Sequence, residues 1–243
     1  MIPKDHPRYE SLVRREKIAE AAWAGIVAME GVGSHGRGEA FDYLLGERTT
    51  KSAFLAEKTA AALFLTAKKP VFSVNGNTAA LAADKIKDLQ EATGAVVEIN
   101  LFHRTEERIK KIAKLLEDNG VSVLKGEAER LLPLSHDRAL CLRDGIFSAD
   151  VVLVPLEDGD RCEALVKMGK CVITIDLNPL SRTAKTASLT IVDELTRALP
   201  NITDAAKTLT PEEAQRLSGE YDNKIILKSA LKEILENLSD AVD

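Results

Sequence analysis

The sequence predicts an α/β protein: a mostly parallel β-sheet with helices on both faces, flanked by helical segments at the N- and C-terminal ends. Two observations predict this. Short apolar runs recur through the middle of the chain, separated by about ten to fifteen residues of helical pattern. Strands spaced in this way need crossover connections, and crossovers make neighbouring strands parallel. Both ends of the 243-residue chain show helical periodicity instead of alternation. Aromatics are only 4% of residues while hydrophobics are 45%, so the core is expected to be built from Ala, Leu, Ile and Val.

Residues 7–69 read as helical. Leu12, Val13, Ile18, Ala22, Ile26 and Val27 recur near helical spacing. Gly31, Gly33, Gly36 and Gly38 predict a loop over 31–38 that breaks the run. Helix is expected to resume over 40–45, placing Glu39 and Asp42 on its first turn, and again over the Ala-dense stretch 50–67.

Residues 70–200 carry the strands. Val71-Phe72-Ser73-Val74 is the first, followed by the turn Asn75-Gly76-Asn77 and a helix over 78–91 that ends before Gly94. A second strand covers 96–99. Thr105 caps a helix bearing Ile109, Ile112, Leu115 and Leu116, which Gly120 stops. A short strand is expected over 121–124. After a less regular stretch come a strand at 151–154, a helix at 161–168, and strands at 172–175 and 189–192.

Beyond residue 200 the chain is helical again. Thr210-Pro211-Glu212-Glu213 combines an N-cap, a proline at the first helical position and a capping-box glutamate. The final helix, over 223–240, carries a stripe of Ile226, Leu227, Leu231, Ile234, Leu235 and Leu238 that packs on its own domain or on a second copy. With no repeat and no low-complexity linker, residues 1–243 are expected to form one domain with a nucleotide-binding core at 70–200.

The net charge is −5 without a basic block, which argues against nucleic acid as a partner. No segment reaches the roughly 18 apolar residues of a membrane span, and the polar start has no signal-peptide core, so a cytoplasmic protein is expected. Cys141, Cys162 and Cys171 lack CxxC spacing and read as buried reduced thiols, with no metal site implied.

In parallel sheets ligands collect beyond the carboxyl ends of the strands, so the loops that follow strands are the candidates. Asn75-Gly76-Asn77 opens a helix whose free N–H groups suit a phosphate, although an ordinary turn with Asn77 as N-cap has the same sequence. The loop from Asp176 to Thr186 gathers Asp176, Asn178, Ser181, Arg182, Thr183 and Lys185, a density of cations and hydroxyls that suits phosphate oxygens. Asp176 could hold a ribose hydroxyl, or Mg²⁺ through water. Arg37, between two glycines, is a third candidate, and Arg14 and Arg15 would join it if their helix lines the cleft. His35, the His103-Arg104 pair, the acidic run 157–160 and the His136–Asp144 stretch are weaker. There is no GxGxxG, Walker loop, GxSxG or HExxH.

Four blocks together point to a family: the start MIPKDHPRYESL with Arg15-Glu16-Lys17, HGRGEAFDYLLGE at 35–47, SVNGNTAAL at 73–81 and DLNPLSRTA at 176–184. They resemble the archaeal phosphopantothenate synthetases, 4-phosphopantoate–β-alanine ligases of coenzyme A biosynthesis. The resemblance implies a homodimer with a Rossmann-like sheet that uses ATP and Mg²⁺ and releases AMP and diphosphate. It places nucleotide contacts on Arg15, Arg37, Asp176, Leu177, Asn178, Arg182, Thr183, Asp193 and Glu194, with Asn75 and Asn77 lining the same cleft. Arg37 and Lys185 would act on the reacting phosphate. Alternatives are another carboxylate–amine ligase, such as one joining cysteine to phosphopantothenate, or a non-catalytic ATP sensor.

Overall fold

Five parallel strands form the centre of the molecule: β1 (Pro70–Val74), β2 (Val96–Ile99), β5 (Val151–Leu153), β6 (Cys171–Ile175) and β7 (Leu189–Ile191). Their order across the sheet is β2-β1-β5-β6-β7. Two further short strands, β3 (Glu129–Arg130) and β4 (Leu140–Cys141), pair antiparallel outside this sheet. The computed structural model describes residues 2–156 and 158–240. Glu157 of the acidic run 157–160 therefore lies outside the described residues.

Helices cover both faces, and strand periodicity shows why. Along β5 and the residue after it, Val151 and Leu153 enter one apolar cluster while Val152 and Val154 enter another. Ile173 and Ile175 of β6 join the first cluster, and Val172 joins the second. The first cluster is completed by α3 (Lys51–Thr66), α4 (Gly76–Thr93), α5 (Glu106–Asp118) and α8 (Leu195–Thr208), through Ala60, Phe64, Ile86, Leu116 and Ile202 among others. Small alanines on α3 let it lie close to α8, and each fully buried Leu or Ile contributes about 1.5–3 kcal/mol. The second face is covered by α6 (Gly159–Lys167) through Cys162 and Leu165. Arg161 on that helix is fully buried and donates to Ser73 Oγ of β1 at 3.1 Å.

A third cluster joins the two ends of the chain. Leu45 of α2 (Met29–Leu45) meets Leu177, Ala184 of α7 (Arg182–Thr186), Val192, and Leu227 and Ile234 of α10 (Asn223–Asp240). The capping box at Thr210 and Glu213 opens α9 (Pro211–Gly219) as the sequence predicts. Cys141 and Cys162 are buried free thiols, Cys171 is partly buried, and burial pushes the Cys141 thiol up to about 12. Among the described residues, no helix is long and apolar enough to cross a membrane.

Three local expectations are corrected. Residues 31–38 are not a loop: α2 runs through them, so Glu39 and Asp42 lie well inside a helix and not on its first turn. The helix tolerates its glycines because one of them is needed for contact. A Cβ at Gly31 would stand 2.3 Å from Asn77 Oδ1, so glycine lets α2 approach the start of α4 without displacing the Asn77 side chain. Residues 121–124 form no strand; a single parallel bridge joins Val123 to Val97. The N-cap of α4 is Asn75, not Asn77.

Candidate active site

The strand order creates the site. From β1 the chain moves outward to β2, then returns across β1 to β5, so the connections leaving β1 and β5 diverge and open a crevice at their carboxyl ends. Asn75 holds this crevice together. Its Oδ1 accepts from Thr78 N at 2.9 Å and caps α4, while its Nδ2 donates to Pro155 O at 3.0 Å. Asn77 Nδ2 donates to Gly31 O at 2.8 Å and fastens α2 over the opening. Both candidate amides are thus anchored to backbone, and the helix N-terminus they frame faces a cavity of about 270 Å³.

Cations line that cavity. Arg108 of α5 reaches Ile26 O at 3.0 Å, and burial lowers its pKa from the ordinary value. Arg138 is buried, donating to Asn100 O at 2.6 Å and to Asp158 at 3.2 Å. His103 is more exposed, with Nε2 3.9 Å from Glu30. Arg104 points elsewhere: it lines a different hollow and lies 4.0 Å from Glu106. A helix N-terminus with nearby guanidinium groups is an anion site.

The turn after β6 supplies the second wall. Asp176 Oδ1 accepts from Asn178 N at 2.9 Å, and its Oδ2 accepts from Ser181 Oγ. Burial raises the Asp176 pKa, while these bonds and the charge of Arg37 oppose the rise. Arg37 is exposed on α2, and among the described residues it makes no hydrogen bond or ion pair with Asp176; only its charge bears on that carboxyl. Leu177 packs 3.6 Å from where a Cβ on Gly38 would be. Ser181 caps α7, which displays Arg182 and Lys185 outward and buries Thr183. Arg182 pairs with Asp160, folded over Gly159.

Beside these walls lies a largely buried charge network. Arg197 Nη1 donates to Asp42 Oδ2 at 3.1 Å, and its Nη2 to Asp193 Oδ1 at 2.6 Å. Arg14 lies 3.4 Å from Asp42 and 3.9 Å from Glu194. Glu194 caps α8, accepting from Thr196 N at 2.7 Å. Asp193 and Glu194 are thus already engaged by protein groups. Glu57 is fully buried beside them; burial and the Asp193 charge push its carboxyl up to about 9. Arg15 Nε donates to Glu39 Oε2 at 2.7 Å, and Tyr43 OH donates to Glu39 Oε1 at 2.8 Å.

A smaller chamber of about 30 Å³, lined by Arg14, Glu39, Asp42, Leu177, Asp193 and Glu194 among others, adjoins the larger one. The two share Ser34, His35 and Leu156. The structure therefore gathers Asn75 and Asn77 at one end and Leu177, Asp193 and Glu194 at the other, with α2 as the bridge; Arg37 and Asp176 line neither chamber. Arg182 and Lys185 are exposed and line neither chamber, and Arg15 stands outside, against Glu39. Arg108 was missed from sequence, and Arg138 was ranked low with the His136–Asp144 stretch. Arg108 resembles any polar residue on a helix face, and Arg138 lies in the irregular stretch where no periodicity points inward.

Known proteins match this chain from end to end. It is 56% identical to the 4-phosphopantoate–β-alanine ligase of Methanospirillum hungatei over 243 residues, covering 100% of both chains. It is 55% identical to the ligase of the same name from Methanosarcina mazei, over 98% of this chain and 95% of that one. The corresponding ligase from Thermococcus kodakarensis is 50% identical over 98% of this chain and 94% of its own. A family model for phosphopantothenate/pantothenate synthetase matches residues 52–237. The blocks that line the cleft thus sit in a chain that aligns throughout with these ligases, and the protein belongs to the phosphopantothenate/pantothenate synthetase family.

Proposed function

We propose that this protein is a 4-phosphopantoate–β-alanine ligase of archaeal coenzyme A biosynthesis, which forms 4-phosphopantothenate and converts ATP to AMP and diphosphate. The observation that carries the reading is a two-chambered, cation-lined cleft at the sheet's switch point, in a chain 56% identical over its full length to such a ligase.

In the first step, a carboxylate oxygen of 4-phosphopantoate attacks the α-phosphorus of ATP. The O–P bond to diphosphate breaks, and an acyl-adenylate forms. ATP would lie against Arg15, Arg37, the turn Asp176, Leu177, Asn178, then Arg182, Thr183, Asp193 and Glu194. Arg37 and Lys185 would offset charge as it builds on the pentavalent phosphorus. The 4-phosphate is assigned to the N-terminus of α4, between Asn75 and Asn77, with Arg108 and His103 beside it. Mg²⁺ would ride chiefly on the triphosphate. Among the described residues no three His, Cys, Asp or Glu side chains gather into a metal site, and Asp176 could supply the one carboxylate such an ion needs. When bound, it neutralises phosphate charge. In the second step the amine of β-alanine attacks the activated carbonyl and expels AMP. Positioning carries much of this chemistry, so no side-chain nucleophile is required.

The reading takes residues 1–243 as one catalytic unit and the protein as a cytoplasmic homodimer. Exposed Ile225, Leu235 and Leu238 on α10 support the second copy. The test is incubation with ATP, Mg²⁺, 4-phosphopantoate and β-alanine. Equal amounts of AMP and 4-phosphopantothenate are expected. ADP in place of AMP would overturn the adenylate route, and turnover of phosphopantothenate with cysteine instead would overturn the substrate assignment.

A further inference from the structure

The second step poses a problem that the residues given roles in the mechanism do not solve. An aliphatic ammonium such as that of β-alanine has a pKa of about 10, so at neutral pH only roughly one molecule in a thousand carries the free amine. A base in the cleft must take the proton.

The carboxylates there are already committed. Glu39 is held by Arg15 and Tyr43, Asp42 by Arg14 and Arg197, and Asp193 by Arg197. Glu194 caps α8, and Asp158 accepts from Arg138. In the larger chamber Glu30 and His103 are exposed and stand beside each other. His35 differs from all of these. Among the described residues it is the one titratable side chain shared by the two chambers, and its Nε2 is buried without a hydrogen-bond partner.

We infer that His35 is the general base of amide formation, receiving a proton from the ammonium group of β-alanine at the junction of the chambers. The inference rests on the ligase reading above. The surroundings keep the imidazole neutral and so able to accept that proton. Burial lowers its pKa and so do Arg14 and Arg15 of the facing α1 (Tyr9–Trp23), against the opposing pull of Glu39 one turn along α2. With the proton on His35, the nitrogen lone pair attacks the acyl carbon and a C–N bond forms. The acyl C–O bond then breaks with its electron pair leaving on AMP, and the adduct's remaining excess proton passes to solvent.

The test compares amide formation from β-alanine with hydroxamate formation from hydroxylamine, which is already unprotonated at neutral pH and needs no base. In His35→Gln and His35→Asn, amide formation should fall on the order of 100-fold at neutral pH, the lower range for general-base catalysis. It should recover as pH rises toward the ammonium's own pKa, while hydroxamate formation stays within about threefold of wild type by the same reasoning. Amide formation that keeps its wild-type rate and pH profile would overturn the assignment. A parallel loss of both products would also overturn it. In the wild-type enzyme, amide formation should show an acidic limb below the ordinary imidazole range that hydroxamate formation lacks; its absence would sink the assignment without any variant. ATP–diphosphate exchange with 4-phosphopantoate alone separates the two readings. If the wild-type enzyme shows none, the adenylate is lost and the base with it; if exchange is present, any failure belongs to His35.

Discussion

Asn75 Nδ2 donates to Pro155 O at 3.0 Å, joining the end of β1 to the turn that follows β5. The same side chain caps α4 through Thr78 N. One amide thus sets both the width of the switch-point crevice and the direction of the helix that opens into it.

Asn75→Ala should therefore lose a cap and a buried hydrogen bond together. A loss of about 1–3 kcal/mol is expected in urea unfolding, with activity lowered further than stability alone accounts for. A variant as stable and as active as wild type would show that the crevice does not depend on this residue.

The two ends of the glycine series should respond oppositely. A Cβ on Gly76 would meet Ile26 O at 2.4 Å, a backbone atom that cannot step aside. Gly76→Ala should cost about 1–3 kcal/mol. Gly33 has nothing within 4 Å of that position and lies inside α2, so Gly33→Ala should stabilise by about 0.5–1 kcal/mol. Thermal unfolding of the pair measures the difference, and a shift in the same direction for both would contradict the packing described.

How much of this was legible in the sequence follows from the range of the interactions. Strands such as Val71–Val74 declare themselves locally through short apolar runs, and Thr210 with Glu213 declares its helix through a capping box. The 31–38 stretch misled because glycine's helix penalty is local, whereas the contact of Gly31 with Asn77 joins residues 46 apart in the sequence. Strand order was invisible for the same reason: nothing local tells β5 to pair with β1. Family blocks pointed to Arg37 and Asp176, and the fold sets the turn holding Asp176 near enough to α2 for the charge of Arg37 to bear on its carboxyl. Arg108 and Arg138 belong to no motif, and only the packing of α5 and the 137–141 segment against the crevice reveals them.

Arg37→Ala should leave the fold intact, since the side chain is exposed on α2. If Arg37 meets the α-phosphate, turnover should fall roughly 100- to 1,000-fold, the scale for losing one donor to transition-state charge. Equilibrium binding of ATP and steady-state kinetics together check this. Unchanged affinity and turnover would remove Arg37 from the mechanism.

Glu57 makes stability depend on pH. Its carboxyl titrates near the ordinary 4.5 when unfolded and at about 9 when folded, so the native state holds a proton that the unfolded chain releases. This contribution is whole below about pH 4.5, declines as pH rises, and is gone above about pH 9, at no more than about 1.4 kcal/mol per pH unit. Glu57→Gln should flatten the decline between about pH 6 and 9 in urea titrations. Parallel slopes for variant and wild type would show that Glu57 is ionised in the folded protein.

The most direct measurement follows oxygen. With ¹⁸O in both carboxylate positions of 4-phosphopantoate, attack on the α-phosphorus and later expulsion of AMP must carry one labelled oxygen into AMP. Mass spectrometry of the nucleotide after a single turnover with β-alanine should find that atom. Label in inorganic phosphate, with none in AMP, would mean that the carboxylate was activated at the γ-phosphate and would contradict the adenylate chemistry assigned to this cleft.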